Sequence, residues 1–223
     1  MESSEARRKR VVEILRILRE LYPHAKLALA FSNPLELLIA LILAAQARDE
    51  LVNSVTSTLF SQYRRAADWV AIPEEQLQNE LQKINFYRNK TRAIQKACRA
   101  LLDRFGGKVP DRLDDLLSLP GVGRKTANIV LGNAFGQSAI GVDTHVGRVS
   151  GRLGLTAQTD PDKIEADLLV LVPEPDRVSF CHLLQAHGRA VCTARNPGCA
   201  GCNLRDLCPY PTRSSPSPPT SGI

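Results

Sequence analysis

Apolar residues recur at helical spacing along most of this chain. Val11, Ile14, Leu15, Leu18 and Leu21 stand three and four residues apart, which predicts an amphipathic helix that Pro23 ends. Ser32-Asn33-Pro34 reads as the next helix start, because asparagine accepts from the first unbonded amides and proline suits the first helical position. The run behind it, LELLIALILAAQ, is apolar nearly all round, so its helix belongs in the middle of a helical domain. Gln46 closes that run, either as plain surface or as a side chain projecting into a cleft. Further helices are expected over residues 51–63 and 66–72, and another starts at Pro73-Glu74-Glu75.

Asn85-Phe86-Tyr87-Arg88-Asn89-Lys90 then places two aromatics among polar and basic neighbours at a helix start. Such a loop serves equally as a wedge or stacking element for nucleic acid or as a staple holding the helix to the core. The helix beyond it carries Ile94, Ala97, Cys98, Leu101, Leu102 and Phe105 on one face, with Lys90, Arg92, Lys96, Arg99 and Arg104 largely off that face. Gly106-Gly107 ends it. Residues 111–119 make a short helix, and helices are expected after Asp143 and over residues 161–172 and 176–191, with prolines at their boundaries. No run alternates apolar and polar positions as a strand would, and no repeat recurs at fixed period. The chain reads as all-α.

Composition adds little to that fold but something to the partner. The 223 residues carry a net charge of +6, which favours a polyanion over a neutral or acidic partner. Few aromatics suit helices packed by leucine, alanine and isoleucine. Arg7, Arg8, Lys9 and Arg10 open the chain as a solvated, frayed end or, alternatively, as a phosphate-contacting arm. No signal-peptide pattern and no bilayer-length apolar run is visible, so a cytoplasmic, nucleoid-associated protein is expected. In a reducing compartment six cysteines are a poor disulfide framework. The last 15 residues hold five prolines and four serines, and a disordered tail is expected there.

Chemistry concentrates in LPGVGRKTANIVLGNAFGQSAIGVD, residues 119–143. Gly121 and Gly123 flank Val122 in a turn between two helices. Glycine permits positive φ and close approach, and the amides of such a turn and of the next helix suit a phosphate. Lys125 follows in the first helical turn. The helix to about residue 134 spans roughly 16 Å at about 1.5 Å per residue. The loop behind it can return that distance and set Asp143 beside Lys125. An amine beside a carboxylate suits attack on an electrophilic carbon such as a deoxyribose C1′. The alternative is a phosphate-binding lysine and a helix-capping aspartate. Cys192, Cys199, Cys202 and Cys208 form C-x6-C-x2-C-x5-C, a set that zinc and a [4Fe–4S] cluster both accept. Arg195 stands in the first loop of that array. Cys98, Cys181, His182 and His187 read as structural.

Together these motifs resemble the endonuclease III family of helix–hairpin–helix DNA glycosylases, from about residue 11 to Tyr210. LPGVGRKTAN resembles the family's hairpin with its Schiff-base lysine, here Lys125. VDTHV resembles the loop with its aspartate, here Asp143, followed by His145. The cysteine spacing is that of the family's [4Fe–4S] cluster. The resemblance implies two helical domains flanking a DNA cleft: a six-helix barrel over residues 26–136, and a cluster domain joining residues 1–25 to 137–208, with 209–223 as tail. LAAQA resembles the segment whose glutamine fills the gap left by a flipped nucleotide, here Gln46. NFYRNK resembles the wedge loop, with Phe86 where leucine is common and Tyr87 beside it.

Relatives that excise mismatched adenine carry a glutamate where this chain has Leu41, and thymine-mismatch enzymes usually carry tyrosine at position 125. The implied activity is therefore a bifunctional glycosylase and abasic-site lyase for oxidised pyrimidines in duplex DNA, acting as a monomer away from membranes. A pyrimidine-dimer enzyme, or a DNA-binding member with little catalysis, is the alternative. The DNA-contacting set expected is Gln46, Phe86, Tyr87, Gly121, Val122, Gly123, His145 and Arg195.

Overall fold

The computed structural model describes residues 2–210. The expected disordered tail lies almost wholly outside the described residues. Those residues form eleven α-helices and no strand. In order they are α1 (Ser4–Leu21), α2 (Pro34–Ala44), α3 (Asp49–Gln62), α4 (Ala66–Ala71), α5 (Glu74–Leu81), α6 (Tyr87–Phe105), α7 (Leu113–Leu117), α8 (Arg124–Phe135), α9 (Thr144–Arg152), α10 (Pro161–Leu171) and α11 (Arg177–Ala190). No described helix is long and apolar enough to cross a membrane.

The chain divides into two units, Leu27–Gly141 and a second that joins the beginning of the chain, through Lys26, to the segment from Val142 on. In the first unit α2 is central. Leu37, Leu38, Ile39, Ala40 and Leu43 are almost completely buried, and α2 packs on α3, α6 and α8. Its start follows from Asn33, whose Oδ1 accepts from the Glu36 amide at 3.0 Å, with Pro34 at the first helical position. Ser32 adds hydrogen bonds from its amide and hydroxyl to the Glu36 carboxylate, closing a reciprocal cap. Trp69 of α4 is fully buried and donates Nε1–H to the Tyr63 carbonyl, which satisfies its one polar atom.

The boundary at Gly141 lies beyond residue 136, where the resemblance ends the barrel. Ala139 is buried in the first unit's core, and Asn128 Nδ2 donates to the Ile140 carbonyl at 3.0 Å. The loop after α8 is thus tied back onto that helix and stays with it.

In the second unit α11 packs on α9 and α1, and α1 also packs on α10. Helix α1 begins at Ser4, well before the first periodic apolar residue, because Ser3 caps it by accepting from the Ala6 amide. The basic start is partly structural. Arg10 donates to the carbonyls of Leu153 and Leu207, and Arg8 to that of Val170. These arginines knit α1 to the C-terminal segment instead of fraying.

Candidate active site

The hairpin between α7 and α8 brings Lys125 to the surface. Gly121 has φ +80°, a left-handed backbone, and a Cβ there would stand 3.3 Å from the Ala93 Cβ. Its glycine is required twice, by conformation and by space. Gly123 differs: its φ is −94°, which any residue adopts, and a Cβ would meet nothing within 4 Å. Its bare Cα keeps the N-terminus of α8 open to an approaching group. Val122 faces inward, 7% exposed, and its amide donates to the Leu119 carbonyl. That amide is spent inside the turn, although the sequence counts the turn's amides among outward donors. Val122 serves as the plug that seats the hairpin. Lys125 is exposed on the first turn of α8.

The loop behind α8 returns along it. A Cβ on Gly141 would come within 2.7 Å of Ile129 and 3.6 Å of the Lys125 carbonyl, so only glycine lets the loop lie this close to the first turns of α8. Gly141 carried no distinguishing signal in the sequence beyond being a glycine two residues before Asp143.

In the second unit Asp143 caps α9. Its Oδ1 accepts from the Val146 amide at 2.7 Å, which engages one of its two carboxylate oxygens. His145 is half-buried and its Nδ1 lies 3.0 Å from Arg148 Nη2. Arg148 also donates to the carbonyls of Gly188 and Cys192, joining the start of α9 to the end of α11.

The two tips named in the first unit are distinct in character. Gln46 is exposed and has φ 55°. Phe86 is 61% exposed with φ 59°, whereas Tyr87 packs against the core and holds the Arg88 guanidinium over its ring. The open alternatives for this aromatic pair are divided between them: Phe86 stands out, and Tyr87 is the staple. Lys90, expected off the apolar face, is buried on it: the position stands four, seven and eleven residues before Ile94, Ala97 and Leu101, and its ammonium reaches carbonyls at the end of α2. Arg195 is exposed in the loop after Cys192.

All four C-terminal cysteines line one cavity, together with Val149, Leu153, His187 and Leu204. Burial pushes the Cys202 and Cys208 thiols above the ordinary range, and neighbouring cysteines add to it. Among the described residues no three His, Cys, Asp or Glu converge tightly enough to hold a single metal ion. Cys98 sits in the first unit's apolar core and Cys181 is buried, and burial pushes the Cys98 thiol up to about 12.

The cavity's polar rim was not legible from spacing. His187, taken as structural, has Nε2 3.6 Å from Cys202 Sγ, while Nδ1 meets the Tyr22 hydroxyl at 3.2 Å. Arg152 donates to Cys192 Sγ at 3.3 Å and to the carbonyls of Thr193 and Ala194, and its guanidinium lies over the Tyr210 ring. The clue that sequence offers is weak: Arg148 and Arg152 stand one helical turn apart.

Residues 39–174 match the family described as HhH-GPD superfamily base excision DNA repair protein. The chain is similar to endonuclease III of Synechocystis sp., 48% identical over 92% of this chain and 94% of that one. It is similar to endonuclease III of Bacillus subtilis at 47% identity over 85% and 87% of the two chains. Among solved structures it resembles a trapped endonuclease III–DNA covalent intermediate, with TM-score 0.88 and 42% identity over 96% of this chain and 99% of that one. A family match that spans more than half of the chain, joined by relatives similar along nearly their full length, means that this chain belongs to the HhH-GPD superfamily of base excision DNA repair proteins.

Proposed function

We propose that this chain is a bifunctional DNA glycosylase and abasic-site lyase that removes oxidised pyrimidines from duplex DNA. The observation that carries the reading is Lys125, exposed on the first turn of α8 behind a glycine hairpin, in a chain similar to a protein trapped covalently on DNA. The hairpin backbone and the N-terminus of α8 take a DNA phosphate without regard to sequence. The damaged nucleotide leaves the stack, at a cost that a lesion lowers. Gln46 fills the space it vacates, Phe86 wedges beside it, and His145 and Arg195 contact the DNA backbone.

The neutral Lys125 amine then attacks C1′, the C1′–N bond to the base breaks, and the base departs with a proton. The nitrogen loses one proton, C1′–O4′ breaks as O4′ takes up a proton, and a protonated imine is left between Nζ and C1′. The imine acidifies the C2′–H. Its removal expels the 3′ phosphate by breaking C3′–O, which cuts the strand. Asp143 stabilises positive charge on the sugar and helps remove the lysine proton, through the carboxylate oxygen not used to cap α9.

Cys192, Cys199, Cys202 and Cys208 would hold a [4Fe–4S] cluster, and the donor set fits one. The four thiols line one cavity, a donor set that a [4Fe–4S] cluster takes, and their spacing is the one that resembles the family's cluster. A cluster held by these cysteines would order the Arg195 loop for DNA and would supply no chemistry to the sugar. The enzyme would act as a monomer on the nucleoid in the cytoplasm.

Borohydride reduction with an abasic duplex tests the lyase reading. Wild-type protein should form a covalent adduct and Lys125→Ala none; a wild-type protein that forms no adduct sinks it. A panel of duplexes with oxidised pyrimidines and pyrimidine dimers decides the substrate class.

A further inference from the structure

Among the described residues only two besides glycine adopt a left-handed backbone, Gln46 and Phe86. An L-residue is strained in that conformation, and such strain persists only where the surroundings enforce it. Helices α6 and α8 end on glycines in the same conformation without that strain. Helix α2 ends differently. Its left-handed residue is Gln46, two residues past the last helical one, and a lysine from another helix meets the carbonyls of Leu43 and of the cap residue Ala45.

Lys90 is 6% exposed, and its Nζ donates to the Leu43 carbonyl at 2.8 Å and to the Ala45 carbonyl at 2.6 Å. Its own backbone amide donates to the Phe86 carbonyl at 3.1 Å. Asn85 closes the circuit, with Nδ2 3.3 Å from the Gln46 carbonyl. The Lys90 side chain therefore ties the turn before Gln46 to the first turn of α6, whose opening backbone bond runs to Phe86. All of these groups lie within the unit Leu27–Gly141.

A buried ammonium is an expensive way to end a helix. Burial lowers the proton affinity of Lys90, while the two carbonyls and the negative end of the α2 dipole oppose that loss. Glycine at position 46 would adopt the same backbone without the strain. The expense falls at the two residues assigned to enter the duplex and at neither of the groups assigned to the chemistry.

We propose that Lys90 is a positioning residue, which holds Gln46 and Phe86 as one preset insertion unit so that both tips enter the duplex together. The proposal rests on the insertion roles of Gln46 and Phe86 given above. It separates extrusion from chemistry. Freed tips slow the loss of the nucleotide from the stack and lower kcat, while phosphate contacts and KM hold. A single-stranded abasic site has no stack to break and does not need them.

The full-length protein tests this with Lys90→Met, which keeps the stem and removes the donors, and with Asn85→Ala on an exposed side chain. Duplex DNA with 2-aminopurine opposite a tetrahydrofuran abasic analogue reports insertion, because the fluorophore brightens as it unstacks. Wild type should brighten it. Lys90→Met should lose most of the rise with unchanged affinity, and its single-turnover excision of an oxidised pyrimidine should fall roughly 10- to 100-fold. Borohydride trapping on a single-stranded abasic oligonucleotide should match wild type. Asn85→Ala should shift the same way by less, and it decides alone if Lys90→Met shows no cooperative melt. Equal losses on duplex and single strand would mean a merely structural lysine and overturn the proposal. So would a wild-type rise that survives in every variant that folds. No rise even with wild type overturns the insertion roles themselves, and this proposal with them, while leaving the lyase test untouched.

Discussion

At the scale of single residues, neighbouring glycines and a single carboxylate carry separable duties. Gly121→Ala places an L-residue at φ +80° and a Cβ 3.3 Å from the Ala93 Cβ. It should cost about 1–2 kcal/mol of stability, read as a lowered denaturation midpoint. Gly123→Ala is expected to cost less, about 0.5–1 kcal/mol from the poorer N-cap, since its φ is ordinary and the space is open. If the hairpin holds a phosphate as proposed, the added Cβ should also weaken abasic-duplex affinity. For Asp143, asparagine retains the cap and alanine removes it. Asp143→Ala should lose about 1 kcal/mol of stability and Asp143→Asn little of it. If the charge acts in the reaction, both should slow base excision by roughly 10²- to 10⁴-fold. A slowdown confined to the alanine variant would reduce Asp143 to a cap. The pair of glycines was visible in the sequence, but their division of labour was not, because φ is set by the packing of the whole turn.

At the scale of elements, the helices were largely legible. Three-four spacing and local caps act within one turn, so Asn33-Pro34 announces α2 and its apolar circumference announces its central place. Asn33→Ala should cost about 1 kcal/mol, measurable by chemical denaturation, through loss of the Glu36 amide's acceptor. The loop behind α8 was not legible in this way. Its course depends on Asn128 holding the Ile140 carbonyl and on Gly141 lying against Ile129. Gly141→Ala should cost about 1–3 kcal/mol by overpacking against Ile129, and a melt that does not move would show that the loop gives way freely. Lys90 is in helical register with Ile94, Ala97 and Leu101, but its charge set it among the exposed cations. Periodicity describes one helix alone, and the carbonyls that allow this ammonium to be buried belong to the end of another.

At the scale of the whole molecule, the cysteine array was conspicuous by its spacing, and its rim emerged only from tertiary structure. Arg152→Ala removes hydrogen bonds to Cys192, Thr193 and Ala194. It should loosen that loop at a cost of roughly 1.5–3 kcal/mol and weaken duplex binding, while a broad visible absorption from thiolate-to-iron charge transfer persists. Replacing Cys202 with serine should lose that absorption. Zinc recovered in stoichiometric amount from the colourless wild-type protein would refute the cluster. By itself the sequence determined the all-α class, most of the helix starts, the family and the chemistry-bearing residue types, because periodicity, capping and motif spacing are local codes. Only the tertiary structure decided which carbonyls Lys90 and Arg152 hold, which of two aromatics stands out, and which glycine is compelled by its backbone. Those depend on groups distant in the chain meeting at hydrogen-bond range, where the low dielectric of the interior makes an unpaired charge or a misplaced Cβ costly.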